Sequence, residues 1–408
     1  MTALKNAFRK TERRLRAGFR KLIGQVLTSG SVTRSIAPAR LDPTSIRRVL
    51  VVRMNSRLGN TLAMTTLLTA LHDTMPGASI DVLTTYADAV DLLHGIPGLG
   101  KVMVLSNRGW RRPGESLKVL RAYRATQYDL AIDPVPFSLG GRIALRLCRA
   151  RWRLGFGGEA QWLHLDFAAE LPSGLRHQVL RPLALLQQAF GYEVEPGKSR
   201  MRVANSDREI ERGAELLSDR LGQAARQPVG GSTVIGFFAS ARGQKNLGMQ
   251  WWRDFWRAYL EVRPDTAPLE VLPNASHPPV NGEFATVHCP SPRMLAATIS
   301  HVSGFFSADT GPMHLASAAG VPTIAFFNWT HPAVFGPIGP KDVAMIVNGM
   351  TPQEVARNCA DIVSRRFVAA AKSPNPVPTP HQRSVFADSV FGSRATWIVI
   401  RSGRGRNQ

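Results

Sequence analysis

The sequence predicts an α/β protein in which two Rossmann-like domains face a central cleft, with basic N- and C-terminal tails outside them. Short β-branched runs alternate with helical patterns in two separate stretches, which is typical of parallel sheets covered by helices. The chain has 408 residues, of which 44% are hydrophobic and 20% charged, as expected for a globular protein of more than one domain. We assign residues 1–45 to an arm and linker, 46–205 to the first domain, 206–371 to the second and 372–408 to a tail.

The N-terminal arm combines an apolar stripe with many cations. Residues 1–23 contain eight Lys or Arg and one acidic residue, and the apolar residues of 3–27 recur at helical spacing. This pattern predicts a basic amphipathic helix suited to an anionic membrane surface. A solvated arm, or a helix packed on the body of the protein, is the alternative. Residues 28–45 read as a linker.

The two ends carry about half of the net charge of +22. From Lys372 onward there are six basic residues and one acidic residue, and residues 373–380 contain four prolines that predict a flexible segment. Such a charge favours an anionic partner, namely a membrane surface, a phosphorylated substrate or a nucleic acid. Because no zinc-finger, homeodomain or RNP pattern occurs, specific nucleic-acid binding is not predicted.

Three further features predict a cytoplasmic protein, which the basic arm would place peripherally on the inner membrane. The longest apolar runs are too short to cross a bilayer. The apolar stretch at residues 22–27 is a poor signal-peptide core. The three cysteines are far apart in sequence, which fits a reducing compartment.

The first domain opens with a βαβ pattern. Residues 47–53 form a short β-branched run typical of a buried parallel strand. A loop at 54–59 and a helix from Asn60 to about Met75 follow, and Pro76-Gly77 ends the helix. The same alternation predicts further strands at residues 79–84, 101–105 and 128–133.

The second domain repeats the pattern. Strands are predicted at residues 232–238, 268–272, 304–308 and 322–327, with helices between them and a closing helix at 351–371. Ligands of open parallel sheets bind beyond the carboxyl ends of the strands. That rule directs attention to the loops at residues 54–60, 239–248 and 309–314.

The loop at residues 309–316 carries the strongest motif, since it joins a predicted strand to a predicted helix. Gly311 permits close approach of a ligand to the backbone, and Pro312 fits the first helical turn. The exposed N–H groups at this helix start favour an anion, which His314 on the first turn can reach. Alternatively, Asp309 or Thr310 only caps the helix and His314 is a surface residue.

Two other loops contribute candidate residues. Lys245 follows a strand end, where a flexible cation can neutralise a departing diphosphate without a metal. No Asp-x-Asp pair stands out, so no metal is expected; a solvated loop lysine is the alternative for Lys245. At the start of the first helix, Asn60 can orient an acceptor hydroxyl but cannot take its proton; a helix N-cap is the alternative for this residue.

Taken together, these blocks resemble the glycosyltransferase family 9 heptosyltransferases of bacterial lipopolysaccharide synthesis. The similarity covers roughly residues 46–365, and residues 309–316 with 320–323 form its most specific block. The resemblance implies a GT-B fold and inverting transfer of heptose from ADP-heptose to a phosphorylated lipopolysaccharide core at the inner membrane. It also implies donor contacts by Asp309, Thr310, Gly311 and His314 and phosphate contacts by Lys245; Ser240 and Arg242 lie where family members place further diphosphate contacts.

The sequence departs from the family pattern at three places. Gly59-Asn60 stands where the family has Gly-Asp, so the usual general base is missing. Lys245-Asn246-Leu247 replaces a Lys-x-Trp pattern, and the acidic residue that meets the ribose is absent from residues 272–277.

Three readings stay open. In the first, an active transferase finds its base elsewhere, for which Asp133, His72 or Asp73, the acceptor phosphate and a water are candidates. In the second, the protein binds nucleotides as a catalytically impaired scaffold. The third, a dinucleotide-dependent enzyme, is disfavoured because no Gly-x-Gly-x-x-Gly follows the first strand.

Overall fold

The structure is a computed structural model that describes residues 40–106, 113–136, 138–158, 165–194, 199–224 and 232–368. The predicted basic helix at 3–27, most of the linker and the tail from Lys372 lie outside the described residues. At the end of the predicted linker, a single 3₁₀ turn (Pro43–Ser45) precedes the first strand. Leu41 there is buried, and its N–H donates to Ala189 O at 2.8 Å, so this part of the linker packs on the first domain.

The first sheet has six parallel strands in the order β3-β2-β1-β4-β5-β6. They are β1 (Arg48–Arg53), β2 (Ser79–Thr84), β3 (Leu99–Val104), β4 (Gln127–Asp133), β5 (Arg149–Phe156) and β6 (Phe167–Ala169). The helices of this half are α1 (Leu58–Thr74), α2 (Ala89–Leu93), α3 (Pro113–Ala125), α4 (Leu139–Leu147) and α5 (Arg181–Phe190).

The second sheet repeats this topology, with six parallel strands in the order β12-β11-β10-β7-β8-β9. They are β7 (Thr233–Phe238), β8 (Thr266–Val271), β9 (Ala285–Val287), β10 (Gly304–Ala308), β11 (Thr323–Phe327) and β12 (Val343–Ile346). Its helices are α6 (Asp207–Gly222), α7 (Met249–Val262), α8 (Pro292–Ile299), α9 (Gly311–Ala318), α10 (Pro332–Phe335) and α11 (Pro352–Ile362). Each sheet has the doubly wound strand order, and the predicted pair of Rossmann-like units is confirmed.

Two predicted helix bounds were wrong. The first helix begins at Leu58 with Arg57 as its N-cap, so Asn60 is not the cap and lies within the first turn. The closing α-helix ends at Ile362 and continues as a π-helical turn, Val363–Val368, so only part of the predicted span 351–371 is α-helical.

The tryptophans of α7 belong to the core of the second domain. Trp252 and Trp256 are fully buried and pack against Phe237, with ring centroids 5.5 and 4.7 Å away. Phe306 and Phe326 on the neighbouring strands complete this aromatic layer. These large apolar side chains therefore stabilise the sheet and its helix.

Helices α1 and α9 bring the two halves together at the carboxyl edges of their sheets. A Cβ at Gly59 would lie 2.8 Å from the His314 ring, and a Cβ at Gly311 would lie 3.2 Å from Leu58. Each helix thus presents a glycine to a larger side chain of the other, which allows their first turns to approach closely.

A second interdomain contact lies beside α10. The His177 ring lies 3.0 Å from Gly336 O, and Gln178 N donates to Val334 O at 2.9 Å. Burial lowers the pKa of His177 to about 4, so this imidazole is neutral at pH 7.

Among the described helices, none is long and apolar enough to cross a membrane.

Candidate functional site

Lys245 and Asp309 meet at the carboxyl edge of the second sheet. Lys245 lies in a 3₁₀ turn (Gly243–Lys245) after β7, and Asp309 directly follows the neighbouring strand β10. Lys245 Nζ lies 2.5 Å from Asp309 Oδ2, which also accepts a hydrogen bond from Thr330 Oγ1 at 2.6 Å. The Lys245 ammonium lies 5.6 Å from the centre of the Phe335 ring. The lysine is therefore held at the strand ends and is not a freely solvated loop residue.

His314 lies on the first turn of α9, against Gly59 of the other domain. Its ring is half-buried, and its Nδ1 is buried without a hydrogen-bond partner among the described residues. Burial lowers the pKa of His314. The positive charge of Lys245 lowers it further, whereas the negative charge of Asp309 opposes the shift. A neutral imidazole in this position can donate or accept one hydrogen bond towards the cleft.

The alternative that Asp309 or Thr310 only caps helix α9 is met in position but not in hydrogen bonding. Thr310 occupies the N-cap position of α9, but its side chain makes no capping bond; its hydroxyl instead lies 2.9 Å from Ser307 Oγ. Asp309 is engaged by Lys245 and Thr330. The first N–H groups of α9 consequently have no side-chain cap, which leaves them available to an anion.

Ser240 is hydrogen-bonded to a residue that was not predicted. Its Oγ lies 3.0 Å from His277 Nε2, and both side chains are half-buried. Ser240 follows β7 and His277 follows the adjacent strand β8, so the carboxyl-edge rule could have identified the pair. Arg242 is the exposed N-cap residue of the 3₁₀ turn, and its side chain makes no capping hydrogen bond.

Thr330 and Phe335 also escaped the sequence analysis. Both follow β11, which is the next strand beyond β10 in the sheet, and both lie against the Lys245–Asp309 pair. Their strand was predicted, but a threonine and a phenylalanine carry no motif. Only the shared sheet edge distinguishes them.

Asn60 lies half-buried in the first turn of α1, next to the glycine that contacts His314. Its side chain makes no hydrogen bond with the described residues, so its amide is available to a ligand. The first turn of α1, which holds Asn60, thus lies against the first turn of α9, which holds His314.

The protein carboxylates considered as replacement bases lie in unsuitable places. Asp133 is fully buried at the end of β4, and Arg142 Nε lies 3.8 Å from its Oδ2. Burial raises the pKa of Asp133 to about 7, while Arg142 and Arg53 oppose the shift. Asp73 lies near the last turn of α1, thirteen residues or about 20 Å along the helix from Asn60, and His72 precedes it.

Part of the second domain, including the Asp309–His314 turn, matches a known protein family. Residues 293–361 match the model of glycosyltransferase family 9 (heptosyltransferase), and this segment contains the whole of the Asp309–His314 turn. The resemblance to glycosyltransferase family 9 is confirmed. No curated protein sequence matches the chain.

Three solved structures are similar over most of the chain. The glycosyl transferase family 9 protein from Veillonella parvula DSM 2008 has a TM-score of 0.68 at 16% identity and covers 81% of this chain and 100% of that one. E. coli ADP-heptose lps heptosyltransferase II has a TM-score of 0.61 at 17% identity (78% and 98% covered), and E. coli heptosyltransferase WaaC with ADP has 0.59 at 18% identity (77% and 99% covered). These likenesses establish the GT-B fold.

No group of three or more His, Cys, Asp or Glu within the described part of the chain is arranged to hold a metal ion. The groups that the cleft offers to a ligand are an ammonium, an imidazole, an uncapped helix start and an amide. Such a set suits a ligand that carries a phosphate and several hydroxyl groups.

Proposed function

We propose that the protein is an inverting glycosyltransferase that moves a heptose, or a related sugar, from ADP-heptose to a lipopolysaccharide core. The observation that carries the proposal is the joining of Lys245 to the Asp309–His314 turn, within the segment that matches the family model. Two structural relatives are described as heptosyltransferases, one of them in complex with ADP.

The second domain binds the donor in this proposal. The diphosphate lies at the start of α9, where the uncapped N–H groups and the helix dipole favour an anion. Lys245 moves from Asp309 towards the phosphates and neutralises the charge that develops as the sugar departs. This arrangement requires no metal. Thr330 remains with Asp309, so that the carboxylate is not left without a hydrogen bond while the lysine is engaged.

The Ser240–His277 pair supports the nucleoside end of the same ligand. In doubly wound folds, a residue after the second strand of the unit meets the ribose. That strand is β8 here, and His277 follows it in place of the acidic residue that the family resemblance leads one to expect. A histidine can hydrogen-bond a ribose hydroxyl through a ring nitrogen, and Ser240 orients the ring.

The acceptor lies on the side of the first domain. Asn60 orients its hydroxyl from the first turn of α1. Because an amide cannot take the proton, a phosphate of the acceptor or a water receives it, and the reaction proceeds with inversion. The basic N-terminal arm, residues 1–45, keeps the enzyme at the anionic inner surface of the cytoplasmic membrane, where phosphorylated lipopolysaccharide intermediates are embedded.

Asn60 also favours a second candidate function, a scaffold that binds sugar nucleotides without transferring them. Removal of a general base typically lowers the rate about 10²–10⁴-fold. Asp133, the buried carboxylate of the first domain, is paired with Arg142 and does not reach the cleft. The scaffold predicts nucleotide binding without turnover, so sugar transfer by the pure protein would exclude it.

Thermal unfolding with ADP, UDP, GDP and NAD tests the donor half of the proposal. A ligand at a hundred times its dissociation constant adds about 2.7 kcal/mol of stability. We expect a selective shift with ADP that is lost in Lys245→Ala and kept in Lys118→Ala, which removes an exposed lysine of α3 in the first domain. A shift with UDP or GDP instead would change the donor, and a shift with NAD alone would favour a dinucleotide enzyme.

Transfer and membrane attachment need separate assays. Incubation of the pure protein with ADP-heptose and a heptose-deficient lipopolysaccharide tests turnover directly. Deletion of residues 1–30 should weaken binding to anionic vesicles and leave the ADP shift intact. Equal vesicle binding by the truncated protein would refute the role of the arm, and strong salt-dependent binding to DNA would reopen the nucleic-acid alternative.

A further inference from the structure

Trp329 is an exposed aromatic residue at the rim of the candidate site. It lies in the loop between β11 and α10, and 63% of its surface is accessible, the highest value among the large apolar side chains of the described residues. The other tryptophans of this domain, on α7, lie in or against the aromatic core. An indole combines a large flat apolar face with an N–H donor, so an exposed one suits a ligand that offers both an apolar face and hydroxyl groups.

The Trp329 loop is held in place on both sides of the indole. Asn328 Nδ2 donates to Gln244 O at 2.8 Å, one residue before Lys245. Thr330 Oγ1 donates to Asp309 Oδ2 at 2.6 Å. Since both neighbours of Trp329 are bonded to the loops that carry Lys245 and Asp309, the backbone at Trp329 lies beside that ion pair.

The order of the strands indicates which end of the donor faces Trp329. The ion pair lies at the ends of β7 and β10, with β8 on one side of them and β11 on the other. Strands β8 and β11 are three spacings apart, about 14 Å. If the ribose lies at the end of β8, as in other doubly wound units, the far end of the diphosphate points towards β11. That end of a nucleotide sugar carries the sugar.

We propose that Trp329 binds the transferred sugar by stacking its indole on the apolar C–H face of the pyranose ring. This inference rests on the proposed donor-binding function and adds the residue that recognises the sugar. An exposed indole supplies a flat apolar surface of the right size, and the bonds of Asn328 and Thr330 hold its loop beside the Lys245–Asp309 pair. The nucleotide alone does not reach it.

Titrations with ADP and with ADP-heptose test the inference, because the two probes share the nucleotide and only the second carries the sugar; the ratio of variant to wild-type Kd for each probe cancels the charge difference of their terminal phosphates. For Trp329→Ala we expect the Kd of ADP-heptose to rise at least tenfold, which is about 1.4 kcal/mol, and the Kd of ADP to stay within twofold. Trp329→Phe should retain most of the affinity, since it keeps an aromatic face. The matched control is Val262→Ala: this apolar residue is 50% exposed at the far end of α7, towards the opposite edge of the sheet.

The outcomes separate this inference from the proposed function. If wild-type protein binds ADP but Trp329→Ala weakens both probes equally or neither, the inference is overturned and the donor site stands. It is also overturned if the variant loses only its binding to anionic vesicles, which would make Trp329 a membrane contact. If the wild type binds none of ADP, UDP and GDP, and none of the nucleotide sugars made from them, the proposed function fails and the inference fails with it.

Discussion

Replacement of Arg293 by methionine tests how the two halves are joined. Arg293 lies on the first turn of α8, and its side chain is only 4% exposed. Its guanidinium donates to both carboxylate oxygens of Glu209, from Nε at 2.5 Å and from Nη2 at 2.8 Å. It also donates to His94 O of the first domain at 2.6 Å and to Ala204 O. Methionine fills much of the same volume and makes none of these bonds.

The structure sets the size of the expected effect. The pKa of Glu209 is lowered to about 2 from an ordinary value of 4.5, chiefly by its hydrogen bonds with Arg293, with burial opposing the shift and Ser206 adding to it. That difference corresponds to at most about 3.4 kcal/mol. Because Glu209 is 32% exposed, water screens part of the interaction. Removal of one partner of a buried pair costs about 3–5 kcal/mol, so a loss of about 2–3 kcal/mol is expected.

The same pair predicts how the loss depends on pH. A carboxylate with a lowered folded-state pKa stabilises the fold fully above its unfolded pKa of 4.5 and loses this contribution as the pH falls towards 2. Urea unfolding of the wild type and Arg293→Met should therefore differ most at pH 7 and less at pH 3. Arg257→Met, at an exposed i,i+3 pair with Asp254, is the control and should change stability by less than about 0.5 kcal/mol. A wild-type midpoint for Arg293→Met, or a difference that is the same at pH 7 and pH 3, would refute the reasoning.

Three other substitutions have defined outcomes. Asn60→Asp restores a carboxylate at the cleft and should raise the sugar-transfer rate about 10²-fold or more without lowering the Tm; an unchanged rate would show that the position is not catalytic. Gly59→Ala places a Cβ 2.8 Å from the His314 ring and should cost about 1–3 kcal/mol in urea unfolding, whereas Gly222→Ala, which has open space, should not destabilise. Burial raises the pKa of Glu270 to about 7, so the folded wild type loses stability as the pH rises from 4.5 through 7. The free energy of unfolding of Glu270→Gln, relative to that of the wild type, should therefore increase by about 3 kcal/mol between pH 4 and pH 8. A difference that does not vary with pH would contradict the shift.

Local pattern was sufficient for the fold class and for the principal loops. Strands such as β1 and β10 are continuous apolar runs because parallel strands are buried on both faces, and that composition is readable without a structure. The turn with Gly311 and Pro312 could be placed at a strand-to-helix junction for the same reason. Four strands were not predicted. Three of them, β6, β9 and β12, have only three or four residues and little periodicity to detect. The fourth, β5, has eight residues in which arginine alternates with apolar residues, and this strand pattern was overlooked.

The surroundings of each candidate residue were decided by tertiary structure. Lys245 and Asp309 are 64 residues apart, and only the adjacency of β7 and β10 joins them. Asp133 was a reasonable base in the sequence, but the fold buries it beside Arg142, where its pKa rises and the cleft is out of reach. The sequence alone determined which residue types end the strands, because strand formation is local. Which of those residues meet depends on strand order and domain packing, which join segments that are distant in the chain.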